Sequence, residues 1–176
     1  LAKAAGRSGG LRRAIAEVRG EAYTEFLRAS HDRLARAGKP MRYNLQLDFF
    51  RPDPPANRLL AYPANIDFQW QRWIDEGLID AAILRFFSLP FTALYDDAVA
   101  RDMIARSRAR GLPITVNRYV ETPGDQLAAE VLRTKADGRF SGFIFYEVAS
   151  YLKFGSAPGE CLVKYRPVLD AATAAR

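Results

Sequence analysis

Along the first quarter of the chain the apolar residues Ile15, Val18, Tyr23, Phe26, Leu27 and Leu34 recur at helical spacing. They predict a helical region from Leu11 to Ala37, with Gly20 as a point where it divides in two. Gly38 closes this region, and Lys39-Pro40 forbids its continuation. The pattern then changes to period two. From Met41 to Phe49 the residues Tyr43, Leu45, Leu47 and Phe49 share one face, and Arg42, Asn44, Gln46 and Asp48 share the other, which predicts a strand. Phe50 to Asn65, rich in Pro and Asn, predicts a long ordered loop. Asp67 stands where it can cap a short helix that carries Trp70, Trp73 and Ile74 on one side and stops at Gly77. A second strand, Asp80 to Phe86, follows.

The same succession repeats. Phe91 to Arg110 reads as a helix closed by Gly111, and Ile114 to Tyr119 as a strand. Asp125 to Ala136 reads as a helix, Asp137-Gly138 as a turn and Gly142 to Glu147 as a fourth strand. Pro158 to Ala175 supplies a last helix. Four times a helix ends near a glycine (Gly38, Gly77, Gly111, Gly138) and a strand begins within a few residues. The segments ARAGKPMRYN and RARGLPITVN even resemble each other directly. Strict alternation of this kind predicts parallel strands joined by right-handed crossovers.

The strand faces separate the two parallel architectures. An open doubly wound sheet is covered by helices on both faces and has nearly continuous apolar strands. In a barrel one face packs on helices, and polar residues gather on the other near the C-terminal mouth. Asn44, Gln46 and Asp48 alternate with apolar residues in the first strand, and Thr115 and Asn117 with Ile114 and Val116 in the third. In the fourth, Glu147 shares the parity of Phe143 and Phe145. Polar residues late in the strands favour a barrel over a flavodoxin-like sheet. The expected class is α/β: four parallel βα units forming the C-terminal half of a (β/α)8 TIM barrel over 21–176, after a helical, frayed segment 1–20. The 176 residues fall short of the roughly 250 of a complete barrel, and the chain opens on Leu1. The expectation is therefore a fragment that needs the preceding half, or self-association, to complete the barrel.

Composition changes this picture little. The chain is 49% hydrophobic and 26% charged, the balance of an ordinary globular domain. No apolar run reaches the roughly 18 residues of a membrane span, so no membrane partner is expected, and Leu1 to Gly10 lacks the apolar core of a signal peptide. The formal charge of +6 raises nucleic-acid binding. The densest basic run, Arg101, Arg106, Arg108 and Arg110, is interleaved with Asp96, Asp97 and Asp102, which favours a solvated helix face and no nucleic-acid partner. Cys161 is the only cysteine and His31 the only histidine, so neither an internal disulfide nor a thiol-metal site is expected. No cofactor or metal signature stands out, and the compartment stays open.

In a barrel the chemistry sits at the C-terminal ends of the strands. Those ends carry Asp48, Arg85, Asn117 with Arg118 and Tyr119, and Tyr146 with Glu147. Asn44 and Gln46 lie just before the first of them. Carboxylates, amides, guanidinium groups and aromatic rings together suit a carbohydrate. Amides and guanidinium groups bind hydroxyls, rings stack on sugar faces, and a carboxylate pair performs acid–base or nucleophilic work at a glycosidic bond. Asp48 and Glu147 are the catalytic candidates, and Asn44, Gln46, Arg85, Asn117, Arg118, Tyr119 and Tyr146 the substrate-binding ones. Alternation lets only one of Asn117 and Arg118 point into the lumen, and parity favours Asn117. Trp70 and Trp73, at helical spacing, read as packing residues, and His31 as structural. A non-catalytic carbohydrate-binding barrel is the alternative to hydrolysis.

The segment FQWQRWIDEGLIDAAILRFF resembles the helix–Gly–strand unit of bacterial glycosyl-hydrolase-like barrel proteins, the family-10-like group. EAYTEFLRASHDRLARAGKPMRYNLQ is similar to the helix leading into the fifth strand of that fold, and GLPITVNRY and GRFSGFIFYEVASYL to its seventh and eighth strands. The resemblance covers most of Glu21 to Leu152. It implies a (β/α)8 fold and hydrolysis of O-glycosyl bonds.

Overall fold

The computed structural model of the chain describes residues 8–47, 66–85, 89–119, 124–146 and 158–173. Helices and strands alternate: α1 (Ser8–Arg36), β1 (Arg42–Gln46), α2 (Trp70–Asp75), β2 (Ala81–Arg85), α3 (Ala93–Asp96), α4 (Ala98–Ala109), β3 (Ile114–Tyr119), α5 (Gly124–Ala136), β4 (Gly142–Tyr146) and α6 (Pro158–Thr173). The four strands form one parallel sheet in the order β1-β2-β3-β4, without reversal. The fold is a mixed α/β arrangement around a parallel sheet, as the alternation predicts.

Three helix-to-strand joints are built alike. Gly38, Gly77 and Gly111 have φ of 64°, 70° and 68°, a left-handed conformation that costs glycine nothing. Each glycine N–H donates to the carbonyl three residues back: Gly38 to Ala35 (2.9 Å), Gly77 to Ile74 (3.1 Å), Gly111 to Arg108 (2.9 Å). Each following N–H donates five residues back: Lys39 to Leu34 (2.9 Å), Leu78 to Trp73 (2.8 Å), Leu112 to Ser107 (2.8 Å). These Schellman closures satisfy the last carbonyls of α1, α2 and α4 and aim the chain into the next strand. The joint after α5 differs. There Asp137 Oδ1 accepts from the Arg139 backbone N–H at 3.0 Å, and the turn is made by a side chain instead of a left-handed glycine. The Arg139 guanidinium, bonded to the same carboxylate, holds Asp137 below the usual carboxylate range.

Three expectations are corrected. Gly20 does not divide the first helix, which runs unbroken for 29 residues. A Cβ at Gly20 would lie 2.2 Å from the Asp67 carbonyl oxygen. Glycine is there so that the segment before α2 can lie against the helix, where the Asp67 N–H donates to the Ala16 carbonyl at 2.9 Å. Asp67 therefore does not cap α2: the N-cap position is Gln69, and no side chain caps it. The region 91–110 is two helices. Asp97 is extended between them (φ −77°, ψ 130°) and accepts from the Val99 and Ala100 N–H groups at 2.9 and 3.1 Å, a side-chain cap that starts α4.

The helices pack on one face of the sheet. Leu45, Leu47, Ala82, Leu84, Ile114 and Val116 are buried there together with Leu27 of α1, Trp70, Trp73 and Ile74 of α2, and Ala100, Met103 and Ile104 of α4. A second cluster joins Leu127, Ala128 and Val131 of α5 to Val168 and Ala171 of α6, with Phe143 and Phe145 of β4 against it. Both tryptophans are core residues, as their spacing predicts. Trp73 also donates from Nε1 to Thr24 Oγ1 at 2.8 Å, and the Tyr23 and Tyr43 hydroxyls meet at 2.7 Å. Burial, reinforced by that bond, pushes the Tyr43 phenol far above its ordinary range. His31 Nε2 lies 3.4 Å from Asp80 Oδ1, while Asp80 Oδ2 accepts from the Met41 N–H at 2.6 Å, so this histidine belongs to the joint between β1 and β2.

Candidate functional site

The other face of the sheet carries the polar positions. In parallel strands, residues in register share a face, and two rows follow from the pairing. Asn44, Ile83, Thr115 and Gly142 form one; Gln46, Arg85, Asn117 and Ile144 form the next, nearer the C-terminal ends. Tyr119 and Tyr146 are in register one step further on. Among the described residues no helix residue joins this face in a core cluster. The structure thus brings Gln46, Arg85 and Asn117 together in one line across three strands. Adjacent strands lie ~4.8 Å apart, so Gln46 and Asn117 are about 10 Å apart along the row.

Gln46 and Asn117 are 8% and 5% exposed, yet Gln46 Nε2 and Asn117 Oδ1 make no hydrogen bond. Leaving a buried donor or acceptor unmade costs about 1–3 kcal/mol. A hydroxyl group has the chemistry to meet either one, since it can donate to an acceptor such as Asn117 Oδ1 and accept from a donor such as Gln46 Nε2. Asn44, in the lower row, is exposed.

Arg118 is not part of this face. Alternation turns it toward the helices, where Nε donates to Glu130 Oε2 at 2.9 Å and Nη2 to Glu130 Oε1 at 3.1 Å. Both side chains are buried, and Nη1 reaches the Leu89 carbonyl at 3.3 Å. The parity argument that favours Asn117 over Arg118 agrees with this placement. Glu130 is the partner that sequence reasoning missed. Its signal was present: a carboxylate beside Leu127, Ala128 and Val131 on the buried face of α5, where Thr134 is polar too.

Asp48 and Glu147, the two catalytic candidates, lie outside the described residues. In sequence they follow close on the ends of β1 and β4. Arg106 of the basic run donates to Asp102 Oδ1 at 2.9 Å and to Asp75 Oδ2 at 2.6 Å. Further pairs tie Arg28 to Glu76 and Arg72 to Glu21 and Glu76. Among the described residues, no group of three His, Cys, Asp or Glu side chains is placed to hold a metal ion, and no helix is long and apolar enough to cross a membrane. The chain matches no family model, no curated protein and no solved structure.

Proposed function

We propose that the chain is the C-terminal half of a (β/α)8 barrel and that it binds a carbohydrate at the C-terminal ends of its strands. Strand order equal to chain order supports the barrel, since a doubly wound sheet reverses its order at a switch point. Helices packed on one face support it equally. The observation that carries the ligand reading is the row Gln46–Arg85–Asn117, with two buried amides lacking partners. A completed barrel requires further strands beside β1 and β4, the outer strands among the described residues, from a preceding half or from a second copy of the chain.

On this reading the reaction is hydrolysis of an O-glycosyl bond. One carboxyl group, of Asp48 or Glu147, donates a proton to the leaving oxygen, and the other attacks the anomeric carbon or activates water. Asn117, Gln46 and Arg85 hold hydroxyl groups and orient the ring, and Asn44, Tyr119 and Tyr146 extend the contact surface. The test is release of reducing sugar from a glycan panel by the chain and its Glu147→Gln and Asp48→Asn variants. Both substitutions should lower turnover at least ~100-fold with little change in melting temperature. Full activity in both would remove these carboxylates from the mechanism. A second reading, binding without turnover, is favoured by the orphaned amides themselves, which serve recognition whether or not a bond is cut. Saccharide binding by calorimetry with no product from any glycan would select it.

A further inference from the structure

The atoms left without hydrogen bonds on the open face are not scattered. Among the described residues, Gln46 Nε2, Arg85 Nε and Asn117 Oδ1 are all buried and unbonded. Their residues stand in register on β1, β2 and β3, so the unmet atoms belong to one line across the sheet. Arg85 has other interactions of its own, which leave its Nε–H unmet. From β1 to β3 the line reads donor, donor, acceptor.

That order selects among the groups a saccharide can offer. Gln46 and Arg85 sit on neighbouring strands, about 4.8 Å apart, and each presents an N–H. A hydroxyl between them accepts from either, but it brings a proton that neither N–H can take. A carboxylate only accepts, through two oxygens, and has no proton to place. Its bond to the guanidinium is charge-assisted, roughly twice as strong as a neutral one. Asn117 Oδ1 then takes the proton of a hydroxyl beside the carboxylate. The charge on this face agrees. Among the described strand residues that share it, Arg42 and Arg85 are charged and no Asp or Glu is present. A phosphate also accepts, but it brings a third oxygen and close to a second charge to a row with two unmet donors.

We propose that the ligand of this row is an acidic sugar, its carboxylate held by Gln46 Nε2 and Arg85 Nε and a neighbouring hydroxyl by Asn117 Oδ1. A uronate carries both groups on one ring. The proposal rests on the reading of the row as a carbohydrate site and replaces one of the hydroxyls held there by a carboxylate.

Calorimetric titration with glucuronate and with its methyl ester tests this. The ester keeps the ring and its hydroxyls and loses the charge. Glucuronate should bind the unaltered chain about tenfold or more tighter than the ester, the scale of a hydrogen bond to a charged group. Gln46→Leu and Arg85→Gln should each narrow that gap. Gln46→Leu keeps the side-chain size, and the comparison of acid with ester needs no variant at all. Equal affinity for acid and ester overturns the proposal and leaves a neutral-sugar site standing. A gap unchanged in both variants overturns it, as does tighter binding of inorganic phosphate than of glucuronate. If lactate, a hydroxy acid without a sugar ring, binds as tightly as glucuronate, the carboxylate–hydroxyl pairing stands and the carbohydrate reading falls. No binding of any of these to the folded chain overturns both.

Discussion

The two faces of one sheet, built from the same strands, differ in nearly every physical respect. On the helix side Leu45, Leu47, Ala82, Leu84, Ile114 and Val116 are all 1% exposed or less. One register position away, Asn44 is exposed and Ile83, Arg85, Thr115 and Ile144 are partly so. Gln46 and Asn117 are buried with polar atoms unmet. The helix face fills space with apolar side chains and bonds its buried Arg118–Glu130 pair, although the Ser107 hydroxyl of α4 is also buried there without a hydrogen bond. The open face tolerates orphaned amides. The difference teaches that one face of the sheet forms the hydrophobic core while the other gathers its polar side chains into a row.

Substitutions across the sheet can break or sharpen this contrast. The largest effect is expected for Leu84→Ala, fully buried on the helix face. It should cost about 2–5 kcal/mol through lost transfer energy and a cavity, read as a fall in denaturant midpoint; a cost under 1 kcal/mol would show a loosely packed core. Gly20→Ala should come next, at about 1–3 kcal/mol, because its Cβ meets the Asp67 carbonyl and must push the segment before α2 away from α1. Urea unfolding checks it, and a neutral result would mean that segment is free to move. Asp97→Ala should cost about 1 kcal/mol through loss of the cap on α4, a smaller shift by the same measurement.

The smallest effect on stability is expected on the open face. Asn117→Leu keeps the side-chain size and removes the unmet acceptor, so the melting temperature should stay level or rise. A large fall would show that the Asn117 amide is part of the fold's own bonding. Acid sharpens one further joint. The folded Asp137 carboxyl titrates below its unfolded value because Arg139 bonds it. Its contribution is therefore complete above the unfolded value and is lost as pH falls through the lower folded value. Asp137→Asn should lower stability at neutral pH and converge with the unaltered chain in acid; a difference that persists in strong acid would contradict this account.

Much of the fold was legible in the sequence because its signals are local. A left-handed glycine before a strand is a backbone requirement, and Gly38, Gly77 and Gly111 meet it in the same way. Period-two alternation gave the polar faces of the first and third strands and the opposite orientation of Arg118, while the line Gln46–Arg85–Asn117 needed the strand register. The misreadings came from contacts distant in sequence. Gly20 looks like a helix breaker until Asp67, 47 residues later, is seen against it. Asp97 looks like one more helical residue until its carboxylate is seen capping the helix after it. Glu130 waited on Arg118, which lies on another element. For the site, the individual polar positions were readable by alternation, but their line-up depends on strand register and the unmet state of the amides on burial, which no local pattern encodes. Asp48 and Glu147 rest on sequence position alone.

The central claim is that the open face binds a hydroxyl-rich ligand through Gln46 and Asn117, and the side-chain amide signals of these two residues test it most directly. In a saccharide titration followed by nuclear magnetic resonance, both amides should shift with one common dissociation constant, while the backbone signals of Leu84 and Val116 on the helix face stay in place. Both amides remaining unmoved across a panel of neutral and acidic saccharides, in a folded chain, would contradict the account.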